Sequence, residues 1–311
     1  MPPFYQALTP LKTQNSLNIR YGTNYVSVAC WSFKGEFYIG TTGGIINVFN
    51  DEMEFQRQIT LPQPGTINAY AINSNYLFVA LGGGTAGYRR IYRSSNGVDF
   101  TDVHSFGALV PFGGCAKDNG EVFFRTTTNG SDIVWSDDDG DTWTVSSLGA
   151  GTNIGGSYAN NSRYIPEYDL FITTIGSTKY RKAASIAGLI AGVDILAPNT
   201  SVFTDYAYLN NRIFACQNIS RLYYSDDRGE TWTESQSFCP PGNGTPECLI
   251  AHNGNIYGCD ANGTLFRIAA PNEVTAIGQL IGNYSTMIAC MNNVVISPAN
   301  ASGRCLRTLI G

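Results

Sequence analysis

A short apolar triplet recurs along the chain, usually behind a polar turn rich in Asn and Gly. The copies are Phe37-Tyr38-Ile39, Leu77-Phe78-Val79, Val122-Phe123-Phe124, Leu170-Phe171-Ile172, Ile213-Phe214-Ala215, Ile256-Tyr257-Gly258 and Val294-Val295-Ile296. The intervals between them are 40, 45, 48, 43, 43 and 38 residues. Spacing of this kind marks an internal repeat whose unit cannot bury its apolar face alone. Around each triplet the same order returns: a β-run, a turn, the triplet, a Gly/Thr loop, a second aromatic run, a turn and a closing strand. In the third unit these are Val110 to Cys115, Glu121 to Arg125, Asp132 to Trp135 and Thr142 to Ser146. No helical periodicity competes with the pattern.

Four short strands per unit predict an all-β protein: a seven-bladed β-propeller of four-stranded antiparallel blades, in one domain over residues 1–311. The expected blades are 25–65, 66–107, 108–151, 152–200, 201–242, 243–283, and 284–311 completed by 4–11. The last unit offers only three strands, near Thr286 to Cys290, Val294 to Ser297 and Cys305 to Ile310. Phe4 to Leu11 resembles the closing strands at Trp143 to Leu148 and Trp232 to Ser235. Its pairing with the last blade is expected to close the ring and remove two unpaired sheet edges.

Composition narrows the function classes. Charged residues make up 14% of the chain and 34 residues are Gly, the profile of a turn-rich β protein with an uncharged surface. A net charge of −5 and only five Lys exclude a nucleic-acid partner, which requires clustered cations. The first residues, Met1-Pro2-Pro3-Phe4-Tyr5-Gln6, have neither the basic nor the apolar region of a secretory signal. Ala183 to Ala197 is interrupted by Asp194 and too short to span a bilayer, so no membrane insertion is expected and synthesis is expected in the cytoplasm. No Cys-x-x-Cys or Cys/His cluster suggests a metal, and no cofactor is implied. Cys30, Cys115, Cys216, Cys259 and Cys290 sit in apolar runs as small core residues, while Cys239 and Cys248 flank a Pro/Gly loop that they could bridge in an oxidising medium.

One eight-residue phrase is written twice, as Ser136-Asp-Asp-Asp-Gly-Asp-Thr-Trp143 and Ser225-Asp-Asp-Arg-Gly-Glu-Thr-Trp232. It resembles the Asp-box, or BNR repeat, at every defined position, and Ser94 to Phe100 looks like a decayed copy without the Asp and the Trp. With the blade period, the resemblance extends to the Asp-box propellers, including sialidases, over the whole chain. Physical chemistry gives the phrase a structural task. Asp138 and Asp227 accept backbone N–H groups across a turn, Gly140 and Gly229 supply positive φ, and Trp143 and Trp232 bury a ring beneath it. Ser136, Thr142, Ser225 and Thr231 complete these hairpins. None is expected to be catalytic.

In a four-stranded blade the one-to-two and three-to-four turns share one face, and the two-to-three loops share the other. The resemblance places ligands on the second face. Candidate binding residues there are Tyr88, Arg89 and Arg90, Lys179, Tyr180 and Arg181, Arg221 and Asp260. The bland alternative for Tyr88-Arg89-Arg90 is a strand opening with solvated cations. The fourth unit replaces the Asp-box with the apolar Ala183 to Gly192, read either as core or as a rim tip covered by a neighbouring chain. A sialidase-like site would need three clustered Arg, a Tyr nucleophile activated by Glu, and a carboxylic acid. The early Arg motif of that family is missing from Tyr21 to Phe55, and Phe266-Arg267-Ile268-Ala269 is a near match in the sixth unit without the Pro.

The residues therefore favour a non-catalytic scaffold. Its composition resembles bacteriophage virion proteins of tails, fibres or decorations, which implies partners among other structural proteins, or a surface glycan or receptor, with several copies per assembly. A sialidase-like glycosidase is the alternative. An assembly factor like the Asp-box propellers of photosystem biogenesis would carry a dense Arg patch, which the sequence does not show.

Overall fold

A computed structural model of the chain describes residues 17–18, 27–83, 85–126, 132–149, 162–176, 178–235, 245–279, 288–298 and 304–309. Their strands pair into antiparallel four-stranded sheets. Six sheets are each built from four consecutive strands, and we number them as blades one to six. Their first strands are Ser27–Phe33, Thr66–Ile72, Pro111–Ala116, Ser162–Ile165, Phe203–Leu209 and Pro246–His252.

The remaining sheet is a composite of both ends of the sequence. It runs Ala289–Met291, Val294–Pro298, Arg304–Leu309 and then Leu17–Asn18 as fourth strand. The expectation of seven blades, the last completed by an N-terminal strand, is corrected to six blades of consecutive strands; the remaining four-stranded sheet is this composite. Leu17 pairs with Cys305 and Asn18 with Arg304. The strand expected to close the ring, residues 4–11, lies outside the described residues.

The repeating triplets are the second strands. Those of blades one and two, Glu36–Thr41 and Leu77–Gly82, are buried along nearly their whole length. A strand covered by a neighbouring blade on each face reads as a continuous apolar run rather than an alternation. Fourth strands lie outside: Phe55–Thr60 and Thr101–Ser105 are largely exposed.

First strands surround the axis, and in five blades they bulge near their start, between Ser27 and Ala29, Ile67 and Ala69, Phe112 and Gly114, Phe203 and Asp205, and Pro246 and Cys248. A bulge adds a residue to one strand and re-aims its side chain. Asn68 and Thr204 use this to donate to the carbonyls of Pro111 and Pro246 on the next blade, at 3.3 and 2.7 Å.

A second tie recurs on the face of the one-to-two turns, where the turns of blades one to four and of the composite sheet bond to the three-to-four connection of the following blade. Lys34 donates to the Ser95 carbonyl at 2.6 Å, Asn73 to Asp139 at 2.7 Å, and the Ile186 N–H to Glu121 at 2.8 Å. Arg228 donates to the Tyr168 carbonyl across the next junction. Asn292 of the composite sheet then donates to Asp51 of blade one at 2.8 Å, repeating the rule across the seam.

The apolar run in blade four is core in part: Ile186 and Leu189 point inward, while Ala184, Ala187 and Ala191 stay exposed. It forms a short helix, Ile186–Ala191, with Ser185 accepting the Gly188 N–H as N-cap. Ile186 and Leu189 are fully buried beside Ile133, Phe123 and Phe171. Arg181 donates to the Leu189 and Ile190 carbonyls at its other end.

Candidate functional site

The two repeated phrases are closed hydrogen-bond circuits. Asp138 accepts from Ser136 Oγ at 2.6 Å, Thr142 N at 2.9 Å and Thr142 Oγ1 at 2.6 Å, while Ser136 Oγ accepts the Gly140 N–H at 2.8 Å. Asp227 accepts from Ser225 Oγ at 2.7 Å, Thr231 N at 2.8 Å and Thr231 Oγ1 at 2.5 Å, with Gly229 N on Ser225 Oγ at 2.7 Å. Partial burial works to raise both carboxyls, and the donated bonds overcome it, bringing each down to about 2. A carboxylate held that far below neutral pH carries no proton to donate. In the decayed copy Asn96 Oδ1 takes the same part, accepting from Val98 N and Asp99 N at 2.8 and 2.9 Å.

The tryptophans extend the circuits between blades. Trp143 packs on Phe78 of blade two as well as on Phe124 of its own blade. Trp232 donates to the hydroxyl of Tyr180 in blade four at 3.0 Å, and Tyr180 donates to the Gly229 carbonyl at 2.8 Å.

The structure does not gather the candidate binding residues. Tyr180 is fully buried, in the contact just described. Arg90, Lys179, Arg181 and Arg221 each face an acid on, or just before, the adjacent fourth strand: Asp102 at 3.6 Å, Asp194 at 3.1 and 2.6 Å, and Glu234 at 2.6 Å. Arg89 donates to the Ala108 carbonyl, and Tyr88 stands half-exposed nearby. Arg90 opens its strand and meets Asp102 across neighbouring strands, where opposite charges pair in a sheet. Asp260 is fully buried, its Oδ1 accepting from Asn262 N and Thr264 N at 2.9 and 2.7 Å. Its Oδ2, and Oε2 of Glu247 on the facing strand, are buried without a hydrogen-bond partner. Burial, and secondarily Asp260, raises the Glu247 carboxyl to about 7.

A concave site lies instead on the axis. A cavity of 230 Å³ opens between the first strands of blades four, five and six, toward the face of the one-to-two turns. Tyr164, Pro166, Tyr208 and Ile250 wall it, with Arg163 and Glu167. Arg163 Nη2 donates to Asp205 Oδ2 at 2.7 Å and to the Leu249 carbonyl at 3.0 Å, and its Nε to the Tyr206 carbonyl at 3.2 Å. Asp205, fully buried, also accepts the N–H groups of Leu249 and Tyr206 at 2.8 and 2.7 Å. Three blades are tied by one ion pair. Burial raises the Asp205 carboxyl to about 6, and Arg163 opposes it. Burial disfavours the Arg163 charge, and Asp205 more than offsets that. Burial lifts Tyr70, across the axis, to about 12, with Arg163 pulling the other way. Tyr206 is raised well above its ordinary range by burial, which leaves a neutral phenol rather than a nucleophile.

Sequence reasoning missed Arg163 and Asp205. Arg163, Tyr206 and Leu249 recur at intervals of 43 residues, each opposite the third residue of its blade's triplet. A lone charge in that series was the available signal.

No family model and no curated protein matches the sequence. Solved structures do match its fold. YCF48 bound to D1 peptide is 11% identical, with TM-score 0.65 over 94% of this chain and 97% of that one. The RRP9 WD40 repeats are 7% identical, with TM-score 0.66 over 94% and 96%. BamB from Moraxella catarrhalis is 12% identical, with TM-score 0.56 over 92% and 83%. At these identities the likeness shows the fold, a β-propeller of four-stranded blades.

Proposed function

We propose that the chain is a non-catalytic β-propeller scaffold that grips a segment of another protein at the axial cavity. The observation that carries this reading is the cavity itself. At 230 Å³ it is smaller than the roughly 300–1,000 Å³ pockets that engulf small ligands. Its tyrosine and proline walls suit an inserted side chain, since aromatic residues serve as contact anchors. Arg163 spans three blades beneath them, so the floor is preorganised. The peptide-bound propeller among the similar structures lends support. In its finer form the partner is a structural protein of a virion, or a surface receptor, and the scaffold is made in the cytoplasm and used in several copies as a single domain. Low charge and a Gly-, Asn- and Tyr-rich composition support that form.

One observation favours the glycosidase alternative: Glu247, a carboxylic acid protonated near neutral pH, sits beside Asp260. Its burial, and the absence of a clustered Arg triad among the described residues, weigh against it. Incubation with sialoside and other glycoside reporters separates the readings. The scaffold turns over none of them. Turnover abolished by Glu247→Gln in a folded variant would replace this reading with the enzyme.

A further inference from the structure

Blade six places two thiols face to face. Cys248 on Pro246–His252 and Cys259 on Asn255–Asp260 are direct partners in the antiparallel register, beside the bulge between Pro246 and Cys248. Both are buried, and their Sγ atoms stand 2.9 Å apart. That is within about 1 Å of a covalent S–S length, and directly opposed strand positions bring the two Cβ atoms near disulfide range. The neighbouring thiols are placed differently. Cys216 Sγ lies 3.0 Å from Thr204 Oγ1, and Cys290 sits on the composite sheet in the same apolar cluster. Cys239, the partner expected for Cys248, lies outside the described residues.

We propose that Cys248 and Cys259 form an intrachain disulfide when the chain folds in the presence of a small-molecule disulfide. One Cys thiolate attacks the reagent's S–S bond, giving a mixed disulfide and releasing one thiolate. The second Cys thiolate attacks the protein sulfur of that mixed disulfide and expels the other. Two protein thiols lose two protons and two electrons, and the reagent is reduced to two thiols. Burial pushes the Cys248 thiol up, so the folded chain reacts slowly and the bond forms while the hairpin closes. The bridge joins the two inner strands of blade six, behind Leu249 and Ile250 of the cavity wall. It does not depend on the proposed function.

The test is refolding of the full chain from denaturant in a mixture of oxidised and reduced glutathione, then acid quench, alkylation under denaturing conditions and a non-reduced peptide map. The expected result is two fewer alkylated cysteines than after refolding in reductant, one linked peptide pair containing Cys248 and Cys259, and a higher Tm. Cys216→Ser keeps the link and Cys259→Ser loses it. A folded wild-type chain with both residues alkylated, or with Cys248 joined to Cys239 or Cys290, overturns the proposal whether or not the variants fold.

Discussion

The hairpins Ser136–Trp143 and Ser225–Trp232 share their letters and their carboxylate circuit but not their surroundings. Trp143 returns its indole N–H to Gly140 of its own loop at 2.9 Å, whereas Trp232 gives it to Tyr180 of the previous blade. Gly140 is pressed between Phe78 and Trp143, while the space around Gly229 is looser. The motif fixes the local turn, and the adjoining blade decides how the turn is anchored. The box is therefore a brace between blades as well as within one.

The largest effect expected from breaking the comparison comes from the rings. Trp143→Ala and Trp232→Ala each remove the wedge between two blades and cost about 3 kcal/mol. Trp232→Phe retains most of the packing but loses the bond to Tyr180, whereas Trp143→Phe loses only a bond within the loop. Urea denaturation is expected to rank Trp232→Phe as the more damaging of these two.

Glycine substitutions come next. Gly140 and Gly229 have φ of +82° and +78°, so Ala is strained at both, by about 1 kcal/mol. A Cβ at Gly140 also meets Phe78 at 2.8 Å and Trp143 at 3.1 Å, whereas at Gly229 the nearest atom is at 3.5 Å. Gly140→Ala is expected to lower Tm more than Gly229→Ala, and equal shifts would show the two surroundings to be equivalent.

Tyr180→Phe sharpens the comparison at the level of one oxygen. It unpairs the Gly229 carbonyl and the Trp232 N–H for about 1 kcal/mol and leaves the first hairpin untouched. Hydrogen exchange is expected to quicken around residues 225–232 and not around 136–143.

Charge separates both hairpins from the axial acids. Asp138 and Asp227, lowered from 3.8 to about 2, contribute stability that is present above pH 3.8 and lost as pH falls toward 2. Glu247, raised from 4.5 to about 7, contributes stability that is present below pH 4.5 and lost as pH rises through 7. Urea midpoints at pH 2.5, 4.5 and 8 are expected to peak at the middle value. Asp138→Asn flattens the acid side and Glu247→Gln the alkaline side, and an unchanged profile in either variant contradicts the assignment.

Much of this was legible in the sequence because the repeat writes itself in the second strands, whose burial on both faces leaves a contiguous apolar signature. The box loops were legible for a different reason: their bonds are local, spanning two to four residues. Contacts between blades were not, since Phe78 with Trp143 or Asn292 with Asp51 obey no short-range spacing. Tyr180 illustrates the limit. Its neighbours Lys179 and Arg181 suggested a solvent-facing patch, yet alternation along the strand turns Tyr180 inward to the next blade. The helix at Ile186–Ala191 escaped notice because six residues give too little periodicity to announce it.

The central claim is that the box hairpins brace the wheel while a partner protein engages the axial cavity. The most direct measurement places a photo-reactive phenylalanine at Tyr208, in the cavity wall, and in a second chain at Asp137, on an exposed hairpin, in the cells that make the protein. Irradiation is expected to join Tyr208's replacement to one defined polypeptide and to yield nothing specific from Asp137's. Specific adducts from the hairpin with none from the cavity would contradict the claim.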